Sequence, residues 1–95
     1  MRDYELTYII DPALEEDQVN ALVERFSTLV TSNGGEVANV DRWEKRKLAY
    51  DINGRREGLY VVMTFRGTPE LRSELDRQLR ITEGVIRHLI VRPEE

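Results

Sequence analysis

Leu48-Ala49-Tyr50-Asp51-Ile52-Asn53-Gly54-Arg55-Arg56-Glu57-Gly58-Leu59-Tyr60-Val61-Val62-Met63-Thr64-Phe65 is the stretch on which the fold turns. Leu48, Tyr50 and Ile52 recur at every second position, the period of a strand with one buried face. Leu59 to Phe65 is a near-continuous apolar run, as expected of a strand buried on both faces or nearly so. Asn53-Gly54 and Gly58 are turn signals. Two strands are therefore joined here directly, with no helix between them. A strict two-residue turn sets Tyr50 opposite Glu57. A longer loop over 53–57 sets Tyr50 opposite Tyr60 and Leu48 opposite Val62, which matches apolar faces better and is the expected arrangement.

Upstream, the first strand of this hairpin begins near Glu36, with Val37 to Val40 as its apolar part. Its charged middle, Arg42 to Lys47, predicts a strand that projects beyond the core. Gly34-Gly35 stops a preceding helix, because glycine takes the left-handed cap conformation without steric cost. That helix carries Val19, Leu22, Val23, Phe26, Leu29 and Val30 at helical spacing, with Glu15, Glu16 and Asp17 in its first turn, where the helix dipole favours anions. Before it, Tyr4, Leu6, Tyr8 and Ile10 alternate with Glu5, Thr7 and Ile9 as a strand that Asp11-Pro12 ends. Downstream, Thr68-Pro69-Glu70 starts a second helix: a cap residue, proline at the first helical position and an acid in the first turn. Leu71, Leu75 and Leu79 form its buried stripe. Gly84 ends the connection, and Val85 to Val91 is the last strand, closed by Pro93. The order is β-α-β-β-α-β. With right-handed crossovers it folds as an α+β, ferredoxin-like unit, a four-stranded antiparallel sheet with both helices on one face.

A chain of 95 residues, 40% hydrophobic and 34% charged, is expected to form one soluble domain over residues 1–95. It has no cysteine, so it carries neither a disulfide framework nor a thiolate site. No apolar run spans a membrane, and Met1-Arg2-Asp3 is not the start of a signal peptide, so the expected compartment is the cytoplasm. Catalysis finds little to work with. His88 is the sole histidine, and within an apolar strand it reads as a packed or half-exposed structural residue and not as a ligand or base. Ser27, Ser32 and Ser73 sit in helical segments without an activating motif. Gly34-Gly35 lacks the spacing and the lysine of a phosphate loop. The acids at 15–17 read as a solvated first turn and not as a cation site. No metal, no cofactor and no enzymatic activity are expected. A phosphate-ester or acyl-phosphate hydrolase on this topology needs an arginine in a glycine-rich first loop, and Asp11-Pro12-Ala13-Leu14 has neither. The alternative function is a small-molecule-binding regulatory module on the same fold, which needs a pocket of convergent polar groups that the sequence does not display.

The formal net charge of −4 argues weakly against a nucleic-acid partner, but its distribution says more. Residues 1–36 hold eight acids (Asp3, Glu5, Asp11, Glu15, Glu16, Asp17, Glu24, Glu36) and two bases (Arg2, Arg25). Residues 42–56 hold six bases (Arg42, Lys45, Arg46, Lys47, Arg55, Arg56) and two acids (Glu44, Asp51). The plain reading of a basic strand is edge protection, since lysine on an exposed strand discourages pairing between molecules. Trp43 tips the balance: a solvated edge has little use for tryptophan, whereas interfaces favour it. The hairpin therefore reads as a phosphate-contacting, partner-docking edge, and stacking of bases on the central strand is not expected, since Glu57 to Phe65 lacks the alternating aromatics of an RNA-recognition motif. A second basic set is dispersed: Arg2, Arg77, Arg80, Arg87 and Arg92. Pairing of the first and last strands is expected to bring Arg2 near Arg87 or Arg92.

These residues resemble a known family. Met1-Arg2-Asp3-Tyr4-Glu5, Trp43 to Ile52, Gly58-Leu59-Tyr60, and Leu79-Arg80-Ile81 through Val85-Ile86-Arg87 are similar to bacterial small ribosomal subunit protein six over essentially the whole chain. Arg46-Lys47-Leu48-Ala49-Tyr50-Asp51-Ile52 is the most specific part. The resemblance implies a structural ribosomal protein that binds the central domain of small-subunit ribosomal RNA. It would do so as a heterodimer with small-subunit ribosomal protein eighteen during platform assembly, without membrane or small-molecule substrate. By motif match Arg2, Arg46, Arg80 and Arg87 become RNA-contact candidates, joined by Lys45, Lys47 and Arg92 from the basic sets. Trp43, Leu48 and Tyr50 become candidates for the partner-facing or core side of the hairpin. Two departures stand out: many members carry proline at the position of Asp51, and some continue past the position of Glu94-Glu95 as a longer acidic tail.

Overall fold

The computed structural model describes residues 1–52 and 55–93, with side chains for 1–41 and 58–93. Its elements are β1 (Arg2–Ile10), α1 (Glu16–Ser32), β2 (Glu36–Ile52), β3 (Arg55–Gly67), α2 (Pro69–Ile81) and β4 (Val85–Val91). The strands form one sheet in the order β2-β3-β1-β4, and every neighbouring pair is antiparallel. This is the expected βαββαβ arrangement.

The strand alternation in β1 becomes the division between two sheet faces. Tyr4, Leu6, Tyr8 and Ile10 meet Val61, Met63 and Phe65 of β3 and Ile90 of β4 beneath Val19, Phe26 and Val30 of α1 and Leu71, Leu75 and Leu79 of α2. Tyr4 stacks on Phe65 with ring centres 5.4 Å apart, and Tyr8 meets Phe26 edge to face at 5.3 Å. Glu5, Thr7 and Ile9 point to the other face, which carries no helix. The β3 run follows the same division: Val61, Met63 and Phe65 are buried, while Tyr60, Val62 and Thr64 are half-buried.

Local chemistry sets the ends of the helices. The Glu15 backbone N–H donates to Gln18 Oε1 at 2.9 Å, satisfying one of the donors at the start of α1. The Thr68 hydroxyl accepts from the Leu71 N–H at 3.2 Å, with Pro69 opening α2. The two glycines after α1 have different tasks. Gly34 has φ +81° and makes the left-handed exit. Gly35 permits close packing, since a Cβ there would lie 2.7 Å from the Arg66 carbonyl oxygen and 2.7 Å from Leu71 Cδ2.

The hairpin turn is tighter than the sequence led us to expect. Ile52 pairs with Arg55, and Asp41 stands opposite Val62 where Leu48 was expected. The added length of β2 is absorbed by register shifts between Val37 and Asn39, Arg42 and Lys45, and Lys47 and Ile52. β2 is an edge strand, free on one side to bulge, so its apolar residues do not align with those of β3 along an unbroken ladder.

Candidate nucleic-acid interface

Strand registers place the cationic positions. The last pair of β1 with β3 is Ile10 with Leu59. Past that row only β2 and β3 continue, with Arg46 opposite Gly58 and Lys47 opposite Glu57. Lys45, opposite Leu59, lies at the root of this two-stranded ribbon. The projecting strand is therefore present in the backbone. The side chains of Trp43, Lys45, Arg46, Lys47, Leu48 and Tyr50 lie outside the described residues.

The helix-free face reads in rows. Tyr60, Ile9 and Arg87 form one row across β3, β1 and β4, followed by Val62, Thr7 and Leu89, then Thr64, Glu5 and Val91. Leu89 is 62% exposed and Val91 40%. Ile9 is buried but does not belong to the helix-side core; its strand partners are Tyr60 and Arg87. The result is a strip in which apolar Tyr60, Ile9, Val62, Leu89 and Val91 are interrupted by Thr7, Thr64 and Glu5, with Arg87 at its ribbon end.

Pairing settles where the dispersed bases stand. Arg87 lies opposite Ile9, whereas Arg2 starts β1 seven residues earlier, roughly 24 Å away along the strand. Arg92 directly follows Val91, which pairs with Glu5, so Arg92 shares the Arg2 end of the sheet. Of the two neighbours expected for Arg2, the register selects Arg92. Arg80 sits in the last turn of α2, its side chain 67% exposed.

Several other bases are held by neighbours. Arg66 pairs with Asp3 at 3.0 Å, and Arg25 donates to Gln78 Oε1 at 2.8 Å. Arg77 grips Glu74 through Nε and Nη2 at 3.1 and 2.7 Å. That grip, with a further hydrogen bond from Gln78, holds the Glu74 carboxyl down to about 2 from the usual 4.5. His88 is packed, as expected, but has a partner that the sequence did not reveal: its Nε2 lies 2.7 Å from Asp76 Oδ1. The hydrogen bond from His88, and secondarily that from Arg80, lowers the Asp76 carboxyl below its ordinary range against the opposing effect of burial. The spacing of Asp76 and Arg80 on one helix was legible in the sequence; His88 comes from another element and was not.

Among the described residues no group of three or more acidic, histidine or cysteine side chains converges as a metal site. Among the same residues no helix is long and apolar enough to cross a membrane. An open groove of about 770 Å³ runs between the start of α1 and the α2–β4 connection, lined by Leu14, Gln18, Leu22, Arg25, Glu83 and Gly84 among others. Of its polar lining, Gln18 bonds to the Glu15 backbone and Arg25 to Gln78.

Residues 3–92 match the family model described as ribosomal protein S6. The chain belongs to the ribosomal protein S6 family. It is 47% identical to small ribosomal subunit protein bS6 of Desulforamulus reducens, each chain covered in full. It is 48% identical to that of Thermoanaerobacter pseudethanolicus, again over both chains. Its fold matches the crystal structure of 30S ribosomal protein S6 from Thermotoga maritima with a TM-score of 0.92 and 34% identity, covering 98% of this chain and 88% of that one. The C-terminal domain of MgtC from Mycobacterium tuberculosis shares the fold alone, at a TM-score of 0.64 and 17% identity. An S6 protein is a structural, non-enzymatic constituent of the small subunit of the cytoplasmic ribosome and serves translation by binding ribosomal RNA.

Proposed function

We infer that this chain acts as one RNA- and protein-binding domain that joins the central domain of small-subunit ribosomal RNA together with ribosomal protein eighteen during platform assembly. The observation that carries the reading is the helix-free sheet face: a strip with apolar Leu89 and Val91 exposed, bordered by Arg87 and continued beyond β1 by the basic ribbon. Exposed apolar surface rimmed by charge suits a protein partner at the strip and phosphates at its edge. In this reading Arg2, Lys45, Arg46, Lys47, Arg80, Arg87 and Arg92 meet RNA, while Trp43, Leu48 and Tyr50 serve the partner or the hairpin core.

A net charge of −4 makes unaided RNA binding weak, because counterion release scales with the number of phosphates neutralised. A partner that supplies charge and shapes the RNA surface compensates. The test is a titration of a central-domain RNA fragment with this chain alone, with protein eighteen alone, and with both. Tight binding only in the mixture is expected; equal affinity without the partner refutes the reading. Replacing Leu89 with glutamate should abolish cooperation between the two proteins while leaving the thermal midpoint nearly unchanged, since that side chain is mostly in water already.

A further inference from the structure

The Asp76 carboxylate is divided between two elements. Oδ1 lies 2.7 Å from Nε2 of His88 on β4, and Oδ2 accepts from Nη2 of Arg80, one turn further along α2. Side-chain exposure falls inward along this chain of contacts, from 67% at Arg80 to 29% at Asp76 and 16% at His88. The guanidinium is thus tied to solvent-shielded structure through a single acid.

An isolated aspartate–arginine pair four residues apart on a helix contributes little, because both side chains must give up rotamer freedom to form it. Here the carboxylate is already braced by an imidazole seated in the sheet. Only the freedom of the arginine remains to be lost, and its planar fork loses less per hydrogen bond than a lysine would. One carboxylate shared between two donors steers each without locking it. The bond to Asp76 is made from Nη2, and a guanidinium with five N–H donors retains others for an oxyanion.

We propose that Asp76, braced by His88, is a positioning residue for Arg80: it holds the guanidinium at the α2–β4 edge in the pose in which its remaining donors meet an RNA phosphate. The proposal rests on the reading of Arg80 as an RNA contact. Pre-ordering a long side chain spares its rotamer entropy at the moment of binding, a saving that corresponds to roughly three- to tenfold in affinity.

The experiment is a double-mutant cycle, read as affinity for the central-domain RNA fragment in the presence of protein eighteen, with the thermal midpoint of each variant recorded. R80A and D76A should each weaken binding by roughly three- to tenfold, and D76A/R80A should bind no more weakly than R80A alone. H88Q, which keeps an N–H near the Nε2 position, should retain most of the affinity, whereas H88L should lose as much as D76A. D76N takes the place of D76A, with the same expectation, should D76A fail to fold. Wild-type or tighter binding by D76A overturns the proposal, since it would mean that the acid restrains Arg80 from RNA. Losses that multiply in the double variant also overturn it, since a purely structural role for Asp76 persists in the R80A background. If R80A weakens binding and D76A does not, only the positioning role falls. If R80A binds like wild type while R87A does not, the RNA-contact reading of Arg80 falls, and the positioning role with it.

Discussion

The two glycines between α1 and β2 look alike in the sequence and answer to different physics. Gly34 occupies a backbone conformation that disfavours a side chain, while space around it is open. Gly35 is not in the left-handed region, but β3, α2 and Val30 of α1 fill the place of its Cβ. Gly34→Ala should therefore cost about 1 kcal/mol of strain. Gly35→Ala should cost about 1–3 kcal/mol, because backbone and a core leucine must move. Urea unfolding midpoints of the two variants check both the sign and the ranking; a Gly35→Ala protein as stable as the wild type would mean that β3 and α2 have slack at this point. In the sequence the pair is legible as a helix stop, which is the first task only. The second depends on Arg66 and Leu71, more than thirty residues away in the chain, as well as on Val30 of α1, and the sequence pattern does not show the two distant ones.

At the level of elements, α2 shows how a helix with a modest apolar stripe is stabilised at its surface. Leu71, Leu75 and Leu79 bury one side. Arg77 with Glu74 laces its solvent side, and Asp76, on the flank toward β4, joins Arg80 and His88. Both acids have folded-state pKa values below their ordinary ones, so their contribution is fully present above the usual carboxylate range and is lost as pH falls. For Glu74 the loss runs from about 4.5 down to about 2. Thermal midpoints should drop through that window, and drop less in E74Q. Added salt should shrink the difference, since Glu74 and Arg77 face water. A pH profile of E74Q superimposable on the wild type would remove the pair from the account. The hairpin marks the limit of pattern reading at this scale. Both strands and the turn signal were legible, but the register was not, because bulges on an edge strand leave no mark in the polar–apolar alternation.

For the molecule as a whole, the relevant quantity is how cationic positions divide between the two ends of the sheet. Lys45, Arg46, Lys47 and Arg87 stand toward the ribbon end, Arg2 and Arg92 at the other. Groups so far apart should act independently on RNA binding. Each phosphate contact removed should lower the log–log salt slope by roughly 0.7–0.9. R46A/R87A and R2A/R92A should each reduce the slope by up to twice that, and the four-fold variant by the sum. Affinity for the RNA fragment measured across a series of salt concentrations decides it. A slope unchanged in one pair withdraws that end from the RNA surface.

By itself the sequence determined the order of elements, the apolar stripes of the two helices and the membership of the S6 family, because periodicity, caps and turn residues act over a few neighbours and leave their pattern in the chain. Tertiary structure alone decided that Arg2 lies with Arg92 and away from Arg87, that Asp41 faces Val62, and that His88 braces the acid beside Arg80. Each of these depends on which residues of separate elements come into register, and register is set by the summed packing of the whole sheet and its two helices, a quantity that no short stretch of sequence contains.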